Sequence, residues 1–220
     1  MQSRPAAATM AGMNYFSRHA SWFVLIAVLF ELALGALALG IGGIFSFWPL
    51  IGITRAQASS GSFLVAIGWG LIATAPMTVG LAVVLESRWQ ALAQMKSLAE
   101  ELLAPLLRGI TPLELLVVAL SAGFGEELLF RGLIQEGLSH WWSGFPGGWL
   151  AAWLLSSVLF GVCHWVSGTY AFLATLAGLY LGLLLILFDN LLVPITAHAM
   201  YDFAALIYLA NRTREMRDEW

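Results

Sequence analysis

The chain has 220 residues, of which 60% are hydrophobic and only 10% are charged, and its mean hydropathy is +0.83. Soluble domains contain about 45–50% apolar and about 25% charged residues, so this composition argues against a soluble protein and predicts a surface that faces lipid. The net charge of −3 gives no basis for binding nucleic acid, and the single cysteine, Cys163, excludes an internal disulfide. Cys163 lies in an apolar run, which predicts a packed thiol.

Six apolar runs are long enough to cross a bilayer, since one transmembrane helix takes about 20 residues. The runs lie at Trp22–Ile44, Ser62–Leu85, Pro112–Leu138, Trp149–Val166, Tyr170–Phe188 and Leu191–Ala210. They show no period of two, which argues against a membrane β-barrel. The sequence therefore predicts an all-α polytopic transmembrane helical bundle, with a single membrane domain over residues 1–220. The first run exceeds the roughly 7–15 residues of a signal-peptide core, so we expect a retained anchor.

Residues 88–109 join the second and third runs and predict an amphipathic helix in the membrane interface. The polar side chains Arg88, Lys96, Glu100 and Glu101 lie largely off its apolar face. That face consists of Trp89, Leu92, Ala99, Leu102, Leu103 and Leu106. A solvated linker helix is the alternative interpretation.

The distribution of basic residues predicts the orientation of the bundle. With six crossings, both termini and the 86–111 loop share one side of the membrane, and the other side holds Arg55 alone. The first side holds eight basic residues: Arg4, Arg18, Arg88, Lys96, Arg108, Arg212, Arg214 and Arg217. Because basic loops stay in the cytoplasm, we expect both termini there, and the cytoplasmic membrane as the location in a prokaryote.

The third run begins with a helix-start signal. Thr111 is placed to cap the helix, Pro112 suits its first position, and Glu114 follows three residues after the cap. This pattern predicts a helix that begins at Pro112.

Ionisable side chains occur inside three of the predicted spans, although each costs about 2.5–3.5 kcal/mol at the bilayer centre. They are Glu126, Glu127 and Arg131 in the third run, His164 in the fourth, and His198 and Asp202 in the last. Any one of them alone is more often structural. Three spans that each carry such a group predict one shared polar cavity.

Helical spacing divides these residues into pairs. Glu127 and Arg131 lie four residues apart with the carboxylate first, which favours an intrahelical ion pair. Glu126 points about 100° away from Glu127 and remains free for chemistry. His198 and Asp202 also lie four residues apart, where a carboxylate can orient the imidazole ring.

Two further features of the apolar runs have structural interpretations. Glu31 stands alone in the first run, where a substrate-channel role and a hydrogen bond to a neighbouring helix are both open, and we favour the hydrogen bond. Ala174, Gly178 and Gly182 repeat every four residues, which predicts close helix packing without chemistry.

The polar motifs resemble those of the CAAX-protease and bacteriocin-processing family of intramembrane endopeptidases. The family patterns are EExxxR, FxxxH and HxxxN or HxxxD. Glu126, Glu127 and Arg131 fit the first, Phe160 and His164 the second, and His198 and Asp202 the third. The stretch DNLLVPITAHAMYDF also resembles the wider context of the last motif, and the match extends from about Thr111 to Leu209.

The resemblance implies an endopeptidase that cleaves a peptide or protein substrate with a glutamate-activated water, using a catalytic core within residues 111–210. Glu126 would be the general base, and His164 would hold and polarise the water. His198 and Asp202 would face the oxyanion of the tetrahedral intermediate. The supporting residues would be Glu127, Arg131 and Phe160. We expect no cofactor, contact with membrane lipid and no nucleic-acid partner, and the oligomeric state is open.

Asp202 departs from the Asn of other members, and this leaves alternatives open. An ionised carboxylate only accepts hydrogen bonds, whereas an oxyanion needs donors. Asp202 is therefore either protonated or placed to orient His198. A zinc site formed by Glu126, His164 and His198, with water in the open position, is a further alternative.

Two non-proteolytic functions compete with the endopeptidase. An ion-coupled carrier would use the same buried groups, but the sequence lacks the internal repeats of many carriers. A non-catalytic immunity or scaffold membrane protein would keep the fold, although the intact motifs favour activity.

Overall fold

The computed structural model describes residues 6–50, 52–53, 63–103 and 105–218, and within these ranges the side chains from residue 21 to residue 212. These residues form helices joined by turns and contain no β-strand. The helices are α1 (Ala6–Ile44), α2 (Phe63–Glu86), α3 (Gln90–Leu103), α4 (Pro112–Glu127), α5 (Glu136–Trp141), α6 (Gly148–Cys163), α7 (Gly168–Phe188) and α8 (Leu192–Asp218), with a π-helix (Leu128–Gln135) between α4 and α5. The predicted all-α helical bundle is confirmed.

Among the described residues, four helical segments are long and apolar enough to cross a membrane: Ser21–Ile44, Phe63–Glu86, Gly168–Phe188 and Leu192–Arg212. They coincide with the first, second, fifth and sixth predicted spans. The fourth predicted span is the shorter apolar helix α6, and the third is divided into α4, the π-helix and α5. The protein is an integral membrane protein, and six crossings with cytoplasmic termini remain a prediction.

The start of α4 has the predicted capping box. The Thr111 hydroxyl accepts from the backbone N–H of Glu114 at 3.3 Å, and the Glu114 carboxylate accepts from the backbone N–H of Thr111 at 2.8 Å. Pro112 occupies the first turn. These contacts stabilise the beginning of the helix that carries Glu126 and Glu127.

The π-helix is the main departure from the continuous helix predicted for the third run. Its i→i+5 pattern adds room per turn and is frequent at functional sites. Contacts from α6 support it, because the Ser156 hydroxyl donates to the carbonyl of Phe130 at 2.7 Å. The Phe130 ring also packs edge-on against Phe160, with ring centroids 5.1 Å apart. Hydrophobic periodicity contains no signal for such a local change, so the sequence could not predict it.

Two glycines of the α7 packing repeat also accept hydrogen bonds. The Arg131 guanidinium donates to the carbonyl of Gly178, and the Gln135 amide donates to the carbonyl of Gly182, both at 3.0 Å. A Cβ added at Gly178 would lie 3.0 Å from the Ser157 carbonyl oxygen of α6. Close packing is therefore only part of the role of Gly178 and Gly182. Because these residues have no side chain, their carbonyls are also open to donors on the π-helix.

Close contacts at two glycines hold α4 between α1 and α8. A Cβ added at Gly123 would lie 2.8 Å from the Cβ of Ala199 on α8. A Cβ added at Gly125 would overlap the carbonyl oxygen of Glu31 on α1. Both contacts lie next to the paired glutamates, so the neighbouring helices approach α4 at the level of its polar residues.

Two peripheral features test further sequence predictions. Helix α3 forms within the segment predicted to be amphipathic, with Leu92 buried and Trp89 exposed, and its location in the membrane interface remains a prediction. The predicted packing of Cys163 is wrong, because this thiol is exposed. Phe160 and Gly161 occupy the inward positions of the last turn of α6, which leaves the outward side to Cys163.

Reporter fusions test the predicted orientation. We expect a reporter fused after Trp220 to lie in the cytoplasm, and one inserted at Ser143, in the exposed turn between α5 and α6, to lie on the opposite side. The physical reason is the excess of basic residues on the side of the termini. A reporter at Arg88 is the matched control and should agree with the C-terminal fusion. Agreement between Ser143 and the C-terminus would contradict the six-span topology.

Candidate active site

The predicted site residues meet where α4, α6 and α8 approach each other. Nε2 of His164 lies 3.5 Å from Oε2 of Glu126. Nδ1 of His198 lies 2.9 Å from Oε1 of Glu127. Nε2 of His198 lies 3.4 Å from Oδ2 of Asp202. The structure therefore brings all four predicted catalytic residues and Glu127 into one cluster.

The predicted Glu127–Arg131 ion pair is confirmed and lies at the back of the cluster. Nη1 of Arg131 is 2.7 Å from Oε1 of Glu127, and both side chains are fully buried. The same carboxylate oxygen accepts from His198, a contact that the sequence did not predict. Glu127 thus connects the guanidinium to the imidazole.

Phe160 packs against the buried cation and the two histidines. Its ring lies 4.4 Å from the His164 ring and 5.8 Å from the His198 ring, measured between centroids. The Cζ atom of Arg131 lies 4.4 Å from the centroid of the same ring, within the range of a cation–π contact. Phe160 therefore packs against both histidines and the arginine, as expected of a supporting residue.

The hydrogen bond of His164 fixes which of its nitrogens faces Glu126. Nδ1 lies 2.8 Å from the carbonyl oxygen of Phe160. A carbonyl only accepts, so Nδ1 carries the hydrogen, and in the neutral ring Nε2 presents a lone pair. That lone pair faces the Glu126 carboxylate oxygen at 3.5 Å. Two acceptors therefore face each other across a gap that a water molecule can bridge by donating to both.

Both ring nitrogens of His198 face carboxylates. Oε1 of Glu127 accepts from the Arg131 guanidinium, and Nδ1 of His198 donates to the same oxygen. Glu127 holds Nδ1 and Asp202 faces Nε2, so the two carboxylates contact opposite nitrogens of the ring. Nε2 can donate toward Asp202 or a substrate only when the ring carries both protons.

Exposure divides the cluster into an accessible side and a buried side. The side chains of Asp202, His164 and Glu126 are 29%, 24% and 12% exposed. Glu127 is fully buried, and His198 is 5% exposed. A substrate can therefore reach the first three residues directly, whereas Glu127 acts through its neighbours.

The cluster lies deep along α4, because Glu126 is about 21 Å beyond Pro112 at 1.5 Å per residue. His164 caps the C-terminal end of α6 and lies at the same depth. The next helix starts almost at once, since the Ser167 hydroxyl caps α7 by accepting from the backbone N–H of Tyr170 at 3.2 Å. The turn at residues 164–167 is therefore level with the C-terminal end of α4, where the π-helix follows.

Three residues near the cluster were missed or interpreted differently from the sequence. Tyr170 lies beside His164, with ring centroids 6.2 Å apart. Tyr201 immediately precedes Asp202 on α8. Glu31, interpreted as structural, contacts Gly125, the residue before Glu126. The tyrosines gave no signal because aromatic residues are common in membrane helices, and their position depends on helix rotation.

Zinc binding by Glu126, His164 and His198 remains an alternative prediction. No three His, Cys, Asp or Glu side chains among the described residues are grouped so that they could hold a metal ion. Zinc needs unprotonated nitrogens aimed at a common point. Nδ1 of His198 donates to Glu127, and Nδ1 of His164 donates to the Phe160 carbonyl, so Nε2 is the remaining nitrogen of each ring.

Comparison with known proteins identifies one match. Residues 108–204 match the family model described as type II CAAX prenyl endopeptidase, Rce1-like. No curated protein and no solved structure matches the chain. The matched segment contains all three polar motifs and confirms the resemblance that they carry.

Proposed function

We propose that this chain, whose residues 108–204 belong to the Rce1-like family of type II CAAX prenyl endopeptidases, hydrolyses peptide bonds with a water activated by Glu126. Family membership supports an intramembrane endopeptidase that acts on a peptide or protein substrate. The geometry of the cluster supports the glutamate mechanism as follows.

The gap between Glu126 and His164 is the observation that carries the proposal. Two acceptor atoms 3.5 Å apart repel each other, and a water beside them relieves this by donating one hydrogen bond to each. Glu126 takes one proton as the water oxygen bonds to the peptide carbonyl carbon. His164 holds the second hydrogen and directs the oxygen lone pair. Glu126 then passes its proton to the amide nitrogen as the carbon–nitrogen bond breaks.

The oxyanion of the intermediate needs a donor opposite this water. A doubly protonated His198 supplies one from Nε2, because its Nδ1 proton is already held by Glu127. The Glu127–Arg131 pair fixes the ring from behind. Asp202 then faces the cationic ring as a counter-charge, or donates to the oxyanion itself when it is protonated.

Cleavage of a defined probe tests the proposed function. We expect the purified protein in lipid nanodiscs to cleave a fluorophore-quencher peptide, offered both as a farnesylated CAAX peptide and as the unprenylated peptide of the same sequence. Any cleavage that Glu126→Gln removes would exclude the carrier and scaffold interpretations. Failure of the wild-type protein to cleave a broad peptide library would contradict the proposal.

Asp202→Asn distinguishes the metal-free mechanism from a zinc-dependent one. We expect activity within about tenfold of wild type, because the amide is nearly the same size and can donate one hydrogen bond, worth about 0.5–1.5 kcal/mol. Asp202→Leu, the matched control without a donor, should lose about 100-fold or more. Chelators should leave the wild-type rate unchanged. Chelator-sensitive activity that zinc restores would overturn the metal-free mechanism.

A further inference from the structure

Glu31 is a carboxylate in the middle of α1 whose position the polar motifs do not explain. Its Oε2 atom is buried and has no hydrogen-bond partner among the described residues. A carboxylate oxygen without a donor is costly in a low-dielectric environment. The structural interpretation predicted a hydrogen bond from a neighbouring helix, and no donor to this atom is present in the described part of the chain.

The contact between α1 and α4 places Glu31 beside the general base. The backbone of Glu31 touches Gly125, where an added Cβ would overlap the Glu31 carbonyl oxygen. One turn further along α1, a Cβ added at Gly35 would lie 3.8 Å from the Cα of Gly125. Gly125 immediately precedes Glu126 in the chain, so this close approach brings the two carboxylate-bearing residues together.

The general base shares this lack of a partner. Oε2 of Glu126 is also buried without a hydrogen-bond partner among the described residues. The buried cation of the site, Arg131, is paired with Glu127. Two carboxylates that lie close together in such an environment cannot both remain ionised, and one shared proton resolves the repulsion.

We propose that Glu31 is a positioning residue of the catalytic centre, which shares one proton with Glu126 and holds the base in its reactive orientation. The inference rests on the proposed function. In the reactive state Glu31 carries the shared proton and donates it as a hydrogen bond to ionised Glu126. Glu126 takes a proton from water and later transfers that same proton to the amide nitrogen. The proton on Glu31 stays in place, so the pair returns to its starting state.

Two substitutions at Glu31 separate positioning from packing. Glu31→Met removes the donor at similar length, and we expect kcat to fall by about 10- to 100-fold with KM unchanged, because the base is misoriented. Glu31→Gln keeps an N–H donor and should retain most of kcat. Its rate–pH profile should change from the two ionisations of a coupled pair to one. Equal kcat for both variants, or a Glu31→Gln profile identical to wild type, would overturn the proposal.

Infrared spectroscopy provides a test that does not depend on cleavage. The carboxyl C=O band that disappears in Glu126→Gln belongs to Glu126, and its titration can be followed in the folded protein. We expect Glu31→Gln to change that titration, whereas Gly40→Ala, at an open position of α1, should leave it unchanged. A Glu126 band that titrates identically with and without the Glu31 substitution would overturn the proposal. A wild-type protein without peptidase activity would contradict the proposed function and leave this test intact.

Discussion

Glu126→Gln should lower the rate of peptide cleavage by at least about 100-fold while the protein remains folded in the membrane. A general base contributes about 10²–10⁴-fold to such a reaction, and an amide cannot accept the proton from water. The substitution should reduce the catalytic rate without removing a structural contact, because Oε2 of Glu126 makes no hydrogen bond within the described residues. This atom lies 3.5 Å from His164. Steady-state cleavage of the quenched peptide measures the rate.

The control for this substitution is Glu101→Gln. The exposed Glu101 side chain on α3 accepts only a 3.3 Å contact from Ser97, so the same change of charge should leave turnover unaltered. Intrinsic tryptophan fluorescence during heating reports whether either variant unfolds early. Near-normal turnover of a folded Glu126→Gln protein would show that the base has been assigned to the wrong residue.

Arg131→Met should destabilise the protein by about 3–5 kcal/mol, the cost of breaking a buried ion pair. The guanidinium is fully buried, bonds to Glu127 at 2.7 Å and donates to the carbonyl of Gly178. Methionine leaves the carboxylate of Glu127 with His198 as its remaining partner. The loss should appear as a lower unfolding midpoint in detergent and as a lower yield from membranes.

A double-mutant cycle separates the pair from its surroundings. Glu127→Gln combined with Arg131→Met removes both charges, so we expect it to cost less than the sum of the single variants. Arg108→Met, on an exposed arginine, is the matched control and should leave the unfolding midpoint unchanged. Strictly additive losses would show that Glu127 and Arg131 contribute to stability independently.

The sequence predicted those parts of the molecule that depend on one helix at a time. Four-residue spacing was enough to predict the Glu127–Arg131 ion pair, and the capping pattern at Thr111 was enough to predict where α4 begins. Long apolar runs were enough for the helical bundle. Each of these follows from local periodicity or local capping, which the chain carries without reference to its neighbours.

Contacts between helices could not be predicted in the same way. The Glu127–His198 hydrogen bond joins residues 71 positions apart and depends on how α4 and α8 rotate against each other. Glu31 can approach the cluster because Gly125 has no side chain. The sequence around a single glycine does not predict which helix will contact it. The π-helix likewise depends on support from Ser156 on α6.

The shortness of α6 has a consequence for the lipid around it. Its 16 residues extend about 24 Å, less than the hydrocarbon thickness of about 30 Å. Such hydrophobic mismatch thins the bilayer locally, and the turn that follows α6 must find partners for its backbone in protein or water. Hydration of that turn would deliver the second reactant of hydrolysis to Glu126. The short helix that carries His164 would thus thin the bilayer beside the site, and water and a peptide would enter through the thinned region together.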